Sequence, residues 1–172
     1  MYPKKDVPRK RLFAIVAVAI FCLSAMSCEA EYVFGLDGFV KHYKVGSYYN
    51  VDGKKGVVFE VSDDGLSGKI ISLTQPDHYL NWYEACDWCT SLGNGWYLPT
   101  KDELLAIHEN LDKLNATLGR RDVEKIGNYW YWSSTLYGTS TDYMWVVNVD
   151  DGITYNNFKG SRSYYVRAVS AF

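Results

Sequence analysis

The residues of this chain best suited to chemistry are Cys86 and Cys89, a Cys-x-x-Cys within "YEACDWCTSL". Such a pair supports dithiol–disulfide exchange when its first cysteine opens a helix, because the helix N-terminus stabilises a thiolate. Here a full turn of helical pattern precedes Cys86, which places the pair mid-helix and disfavours that chemistry. Zinc needs two further ligands. His42, His78 and His108 are scattered, and neither a second Cys-x-x-Cys nor a His-x-x-x-His exists. Two readings stay open: a packed thiol pair on a buried helix face, or a disulfide formed during export. No nucleophile elbow, phosphate-binding loop or dinucleotide fingerprint occurs. Asp102–Glu103 and Asp150–Asp151 have local explanations as a helix cap and a turn. The expectation is no catalytic residue, no metal and no cofactor: the chain is not read as an enzyme.

Gln75-Pro76-Asp77 matches a calcium-ligand tripeptide of galactose-type sugar-binding domains. It precedes the first main helix, and the Trp-Asn-Asp triplet that should accompany it downstream is missing. Calcium takes six or more oxygen ligands, so Pro76 and Asp77 are read as a turn. Asn115-Ala116-Thr117 matches a glycosylation acceptor but falls within a helical pattern.

The elements that must position these residues follow from periodicity. "KGVVFEV" (55–61) and "GKIISLT" (68–74) read as strands joined by an Asp-Gly turn in "SDDGLS". Residues 79–92 are helical, with Leu80, Tyr83 and Cys86 or Trp82, Ala85, Cys89 and Leu92 as the buried stripe. "GNG" supplies positive-φ residues beyond it. A second helix starts at "PTKDELLAIHENLDKL", where Thr100 and Glu103 form a capping box. Leu104, Ile107, Leu111, Leu114 and Leu118 are its apolar stripe. Strands return in "NYWYWSST", in "DYMWVVNVD" with alternating faces, in "ITYNNF" after another Asp-Gly turn, and in "SYYVRAVSAF". Arg167, inside that last apolar run, requires a buried carboxylate or carbonyls as partner. Strands, two helices and strands again predict an α+β domain with helices grouped on an antiparallel sheet.

The N-terminus has a different character. Lys4 to Arg11 form a basic region, followed by the apolar "LFAIVAVAIFCLSAM" and a small-residue approach to Cys28. This pattern predicts a secretory signal over 1–27. "AMSC" is similar to a bacterial lipobox with Ala25 in place of the usual Leu. It makes Cys28 the expected lipidation site and the lipid the route to the membrane. Residues 28–43 are expected to be a tether, and 44–172 the folded domain. Beyond the signal remain 13 basic and 19 acidic residues, a balance of −6. That balance excludes nucleic acid as a partner.

"W-x-x-A-C-x-W-C-x-x-L-G-N-G-W-Y-L-P-T-x-x-E-L" (82–104), "YWSST" (131–135), "WVVN" (145–148) and "YVRAV" (165–169) occur in this order. The set resembles the DUF1566 family, the C-terminal domain of Legionella collagen-like protein, as found in Bacteroides-type lipoproteins. The resemblance spans residues 44–172. It implies a C-type-lectin-like fold of the formylglycine-generating-enzyme type, with two helices on an antiparallel sheet. The acidic "EAE" after Cys28 resembles the export signal of surface lipoproteins, which with the lipid anchor points to an outer-membrane or cell-surface location, with periplasmic or secreted as the alternative.

Between these architectural segments lie stretches of another composition: "LYGTSTDY" (136–143), "TYNNFKGSRSYY" (154–165) and Asn128–Tyr129. Tyrosine brings rigid amphipathic area, and Ser, Asn and Gly bring adaptable hydrogen bonds, as in antibody paratopes. Such aromatics also stack on sugars. The candidate ligand-binding residues are Tyr137, Thr139, Asp142, Tyr143, Tyr155, Asn156, Asn157, Ser161, Arg162 and Ser163, with a glycan or protein as the ligand. The C-terminal segment is similar to the cassettes that diversity-generating retroelements mutate, which raises retroelement diversification of the contact residues as a hypothesis. The alternatives are an accessory subunit of a surface assembly and, with less support, an enzyme of the formylglycine-generating type.

Overall fold

The computed structural model describes residues 30–35 and 38–172. The expected signal over 1–27 and the lipidation site Cys28 lie outside the described residues. The elements are β1 (Glu31–Gly35), β2 (Gly38–His42), β3 (Tyr48–Val51), β4 (Lys54–Val61), β5 (Gly68–Ser72), α1 (Trp82–Ser91), α2 (Lys101–Glu109), α3 (Leu111–Arg120), β6 (Trp130–Leu136), β7 (Tyr143–Asn148), β8 (Thr154–Phe158) and β9 (Val169–Ala171). Among the described residues they form a mixed α/β architecture with three antiparallel sheets, ordered β1-β2, β3-β4-β5-β9 and β6-β7-β8.

Pairs of neighbouring residues explain why the strands read as apolar runs. Val58, Ile70, Trp132, Val146 and Ala168 enter one core with Ala85 and Cys89 of α1. Their neighbours Val57, Ile71, Tyr131, Val147 and Val169 enter a second core with Leu104, Ile107, Leu114 and Leu118 of α2 and α3. Both large sheets thus send residues from each face into a core, with α1 packed into one core and α2–α3 into the other, while the far end of the β6–β8 sheet keeps exposed positions such as Tyr143 and Phe158. The expected alternation in β7 is therefore incomplete: Met144, Val146 and Val147 are all buried. The helices are not grouped on one core as expected.

The long helix expected from residue 100 to 118 is two helices. At Asn110 the backbone leaves helical geometry (φ −114°, ψ 12°), and its side-chain Nδ2 donates to the Ala106 carbonyl at 3.0 Å. A side chain that bonds the preceding turn competes with the helix ladder. The apolar stripe survives the break. The capping box at Thr100 forms as expected, and α1 carries a second one, Asn81 with Glu84. The stripe that α1 buries is Ala85 and Cys89 with Trp82 beside them, while Tyr83 is exposed. Gly93, Asn94 and Gly95 all have positive φ, as the turn after α1 requires.

The stretch expected to be a tether instead carries the β1–β2 hairpin, registered from Glu31 opposite His42 to Gly35 opposite Gly38. Tyr32, Val33 and Val40 are good strand formers, and Glu31 pairs with Lys44 of the domain.

"YWSST" is a junction. The β6–β7 register shifts between Trp132 and Leu136. There Ser133 Oγ donates to the Trp145 carbonyl, the Ser134 amide donates to the Pro99 carbonyl, and Thr135 Oγ1 accepts the Lys101 amide. The indoles of Trp82 and Trp132 donate to the Ser133 and Leu80 carbonyls. The segment 164–172 ties the two large sheets together. Tyr164 pairs with Leu80, Tyr165 with Trp130 and Trp132, Val169 with Tyr97 and β5, and Phe172 with Gly68.

Candidate functional site

The expected contact residues do not share one surface. Antiparallel register puts Tyr143 opposite Phe158 and Trp145 opposite Asn156, on one face. Tyr155 and Asn157 stand opposite Val146 and Met144, on the other. Asn157 is half-buried and its Nδ2 donates to the Tyr164 hydroxyl at 2.5 Å, so it serves the scaffold. Thr139, Ser161 and Arg162 are exposed on the turns, and Ser163 lies on the wall of a separate cleft. The two loops do meet: the Lys159 amide donates to the Asp142 carbonyl at 3.0 Å.

The outer face of the β6–β8 sheet centres on half-buried Trp145. The Tyr137 ring meets it edge-on at 5.0 Å, and Lys101 Nζ stands 4.5 Å from its centroid. Exposed Tyr143 and Phe158 contact each other beside it at 5.8 Å. The face offers aromatic area bordered by a cation and by the polar turn 138–142.

A cleft lies elsewhere, and the sequence did not announce it. The Leu80–Tyr164 bridge brings Tyr79 against Tyr165, with ring centroids 4.7 Å apart and hydroxyls at 3.3 Å. Tyr129 also stacks on Tyr165, at 3.9 Å and 18°. The Tyr79 hydroxyl bond, then burial and Tyr129, push the Tyr165 phenol above its ordinary pKa. This ridge separates two hollows. One, of about 270 Å³, is completed by Asn128, Asn148 and Ser163. The other, of about 450 Å³, is bordered by Gln75, Asp77, His78 and Glu124. Gly127 makes the stack feasible: a Cβ there would collide with the Tyr129 ring. Asn128 and Tyr129 carried a compositional signal; Tyr79 and Tyr165 are 86 residues apart, and only the tertiary pairing joins them.

Arg167 holds the walls of the second hollow. It is 1% exposed, and it donates to the carbonyls of Ser72 (3.0 Å), Leu73 (3.0 Å) and Glu124 (2.5 Å) and to Gln75 Oε1 (3.1 Å). Its partners are therefore carbonyls. Burial lowers its pKa from the ordinary value. Gln75 commits its side-chain oxygen to this arginine, which removes it from the calcium-ligand role that the tripeptide suggested.

Cys86 and Cys89 are free thiols in the structure. Burial pushes Cys86 up to about 11 and Cys89 up to about 12, so neither is a ready thiolate. Among the described residues, no three His, Cys, Asp or Glu side chains are grouped to hold a metal ion. Also among them, no helix is long and apolar enough to cross a membrane.

Taken together, two cores, antiparallel sheets and an exposed aromatic face define a mixed α/β domain whose polar aromatic surface lies at the end of the β6–β8 sheet and on the turn beside it. Residues 51–170 match the family model of the Lcl C-terminal domain, and the chain belongs to that family. No curated protein matches it.

Proposed function

We propose that this chain is a membrane-anchored ligand-binding domain, without catalysis of its own, in a C-type-lectin-like arrangement. The observation that carries the reading is the loop face: Tyr137, Tyr143 and Phe158 are 40–43% exposed around Trp145. Exposed aromatics clustered at strand ends and bordered by polar groups are the composition of recognition surfaces. The raised thiol pKa values of Cys86 and Cys89 favour this over formylglycine-type chemistry, which uses an activated cysteine pair. The ligand is a glycan or protein displayed on another surface, and Cys28 supplies the anchor.

The test is a glycan and cell-binding array probed with the domain and with a Tyr137→Ala, Tyr143→Ala, Phe158→Ala variant. The variant should melt like the parent and lose at least one ligand that the parent binds. Retention of every ligand refutes the assignment of the face. Protease shaving of intact cells tests whether the anchored domain faces outward, and a template repeat beside a reverse transcriptase in the flanking DNA tests diversification.

A further inference from the structure

We infer that the tyrosine cleft is a second binding site, and that its ligand is an uncharged saccharide. The inference does not rest on the loop face, with which the ridge of Tyr79, Tyr165 and Tyr129 shares no residue. Three features support it.

The first is shape. The two hollows of about 270 and 450 Å³ share Tyr79 and Tyr165 as their common wall. Together they lie in the range of roughly 300–1,000 Å³ typical of small-molecule sites. The second is the chemistry of the wall. Tyr79 and Tyr129 remain 54% and 44% exposed. Their rings offer flat apolar surface to the C–H face of a pyranose, and their hydroxyls add polar contacts. Asn148 Nδ2 gives one N–H to Asn128 Oδ1, while Asn148 Oδ1 accepts the Asp150 amide. A carboxamide has two N–H donors, so Asn148 keeps one and Asn128 both for a ligand's hydroxyls. The Ser163 hydroxyl stands on the same wall. The third is that the cleft is held open by buried structure. Arg167 fixes Gln75 and the Glu124 backbone, and Gly127 admits the stacked Tyr129.

Charge selects among saccharides. The smaller hollow has no charged lining residue. The larger has Asp77 and Glu124 on its border and no Lys or Arg. Sulfated or uronic-acid sugars would meet like charge there, whereas neutral rings meet stacking surfaces and amides.

The experiment probes the purified domain with immobilised neutral oligosaccharides (trimers of glucose, mannose, galactose and N-acetylglucosamine) and with heparin and polygalacturonate. At least one neutral trimer should bind. Tyr129→Ala and Tyr79→Ala, both at exposed positions, should each weaken it by roughly tenfold or more while the domain stays folded, read by circular dichroism. Tyr143→Ala, on the loop face, should leave it unchanged. Failure of every neutral trimer to bind overturns the inference, as does binding insensitive to both tyrosines, or stronger binding of the anionic polymers. Because Tyr143→Ala reports on the loop face alone, the two sites stand or fall separately.

Discussion

Replacing Arg167 with methionine tests the physics of the cleft wall most directly. Methionine fills much of the stem's volume and removes all four donated hydrogen bonds. Gln75 and the Glu124 carbonyl border the cleft, where water can take the donor's place, so they are discounted. The Ser72 and Leu73 carbonyls are left without a donor, and an unpaired buried acceptor costs about 1–3 kcal/mol. Removing the cation also relieves the desolvation that lowers its pKa, which offsets part of that loss. The net expectation is a destabilisation of about 3 kcal/mol, or a fall in Tm of roughly 10 °C for a domain of this size. Arg167→Lys keeps the charge but not the fork that reaches carbonyls on both sides, and should lose about 2 kcal/mol. Urea and thermal denaturation read both. If the methionine variant matches the parent within about 0.5 kcal/mol, or lysine restores full stability, the guanidinium is not what holds these loops.

Two further outcomes follow from titrating groups. Burial alone would raise the Glu103 carboxyl, but the Thr100 amide, the Tyr97 hydroxyl and Lys69 outweigh it and hold its pKa below the ordinary value. A depressed folded-state pKa adds stability above the unfolded value, about 4.3, that is lost as pH falls through the folded one. Denaturation midpoints should therefore drop as acid is added below about pH 4.3, and Glu103→Gln should flatten that drop; an equally steep drop in the variant contradicts the assignment. Cys89, fully buried with its thiol pushed up to about 12, should react with a thiol reagent at neutral pH only after denaturation. Rapid modification of native protein, read by mass spectrometry, would contradict its burial.

Much of the scaffold was legible because its signals are local. Thr100 with Glu103, the Asp-Gly turns and "GNG" each fix a few residues of backbone by their own chemistry, and all appear where expected. The strand segments that feed both cores were harder. Runs such as Val57-Val58 and Ile70-Ile71 carry no period, so nothing in them tells one apolar face from two. The break at Asn110 is invisible to a stripe that runs on past it. The candidate site fared worst for the same reason. The loop face was readable from Tyr137 and Tyr143, but Tyr155 and Asn157 were assigned by composition, and strand register turned them to the opposite side. Tyr79 and Tyr165 meet only because the segment 164–172 crosses between the sheets.

That crossing governs how the molecule can be made. A chain synthesised from its N-terminus has β5, α1, β6 and the Trp96–Leu98 segment long before it has the backbone that joins them. Until residues 164–172 are available, the sheets lack their shared seam, and the Ser72 and Leu73 carbonyls lack the arginine that satisfies them. Closure is thus a late, long-range event, of the kind that slows folding by its loop entropy. A nascent chain of this design lacks the seam between its sheets until residues 164–172 have been made.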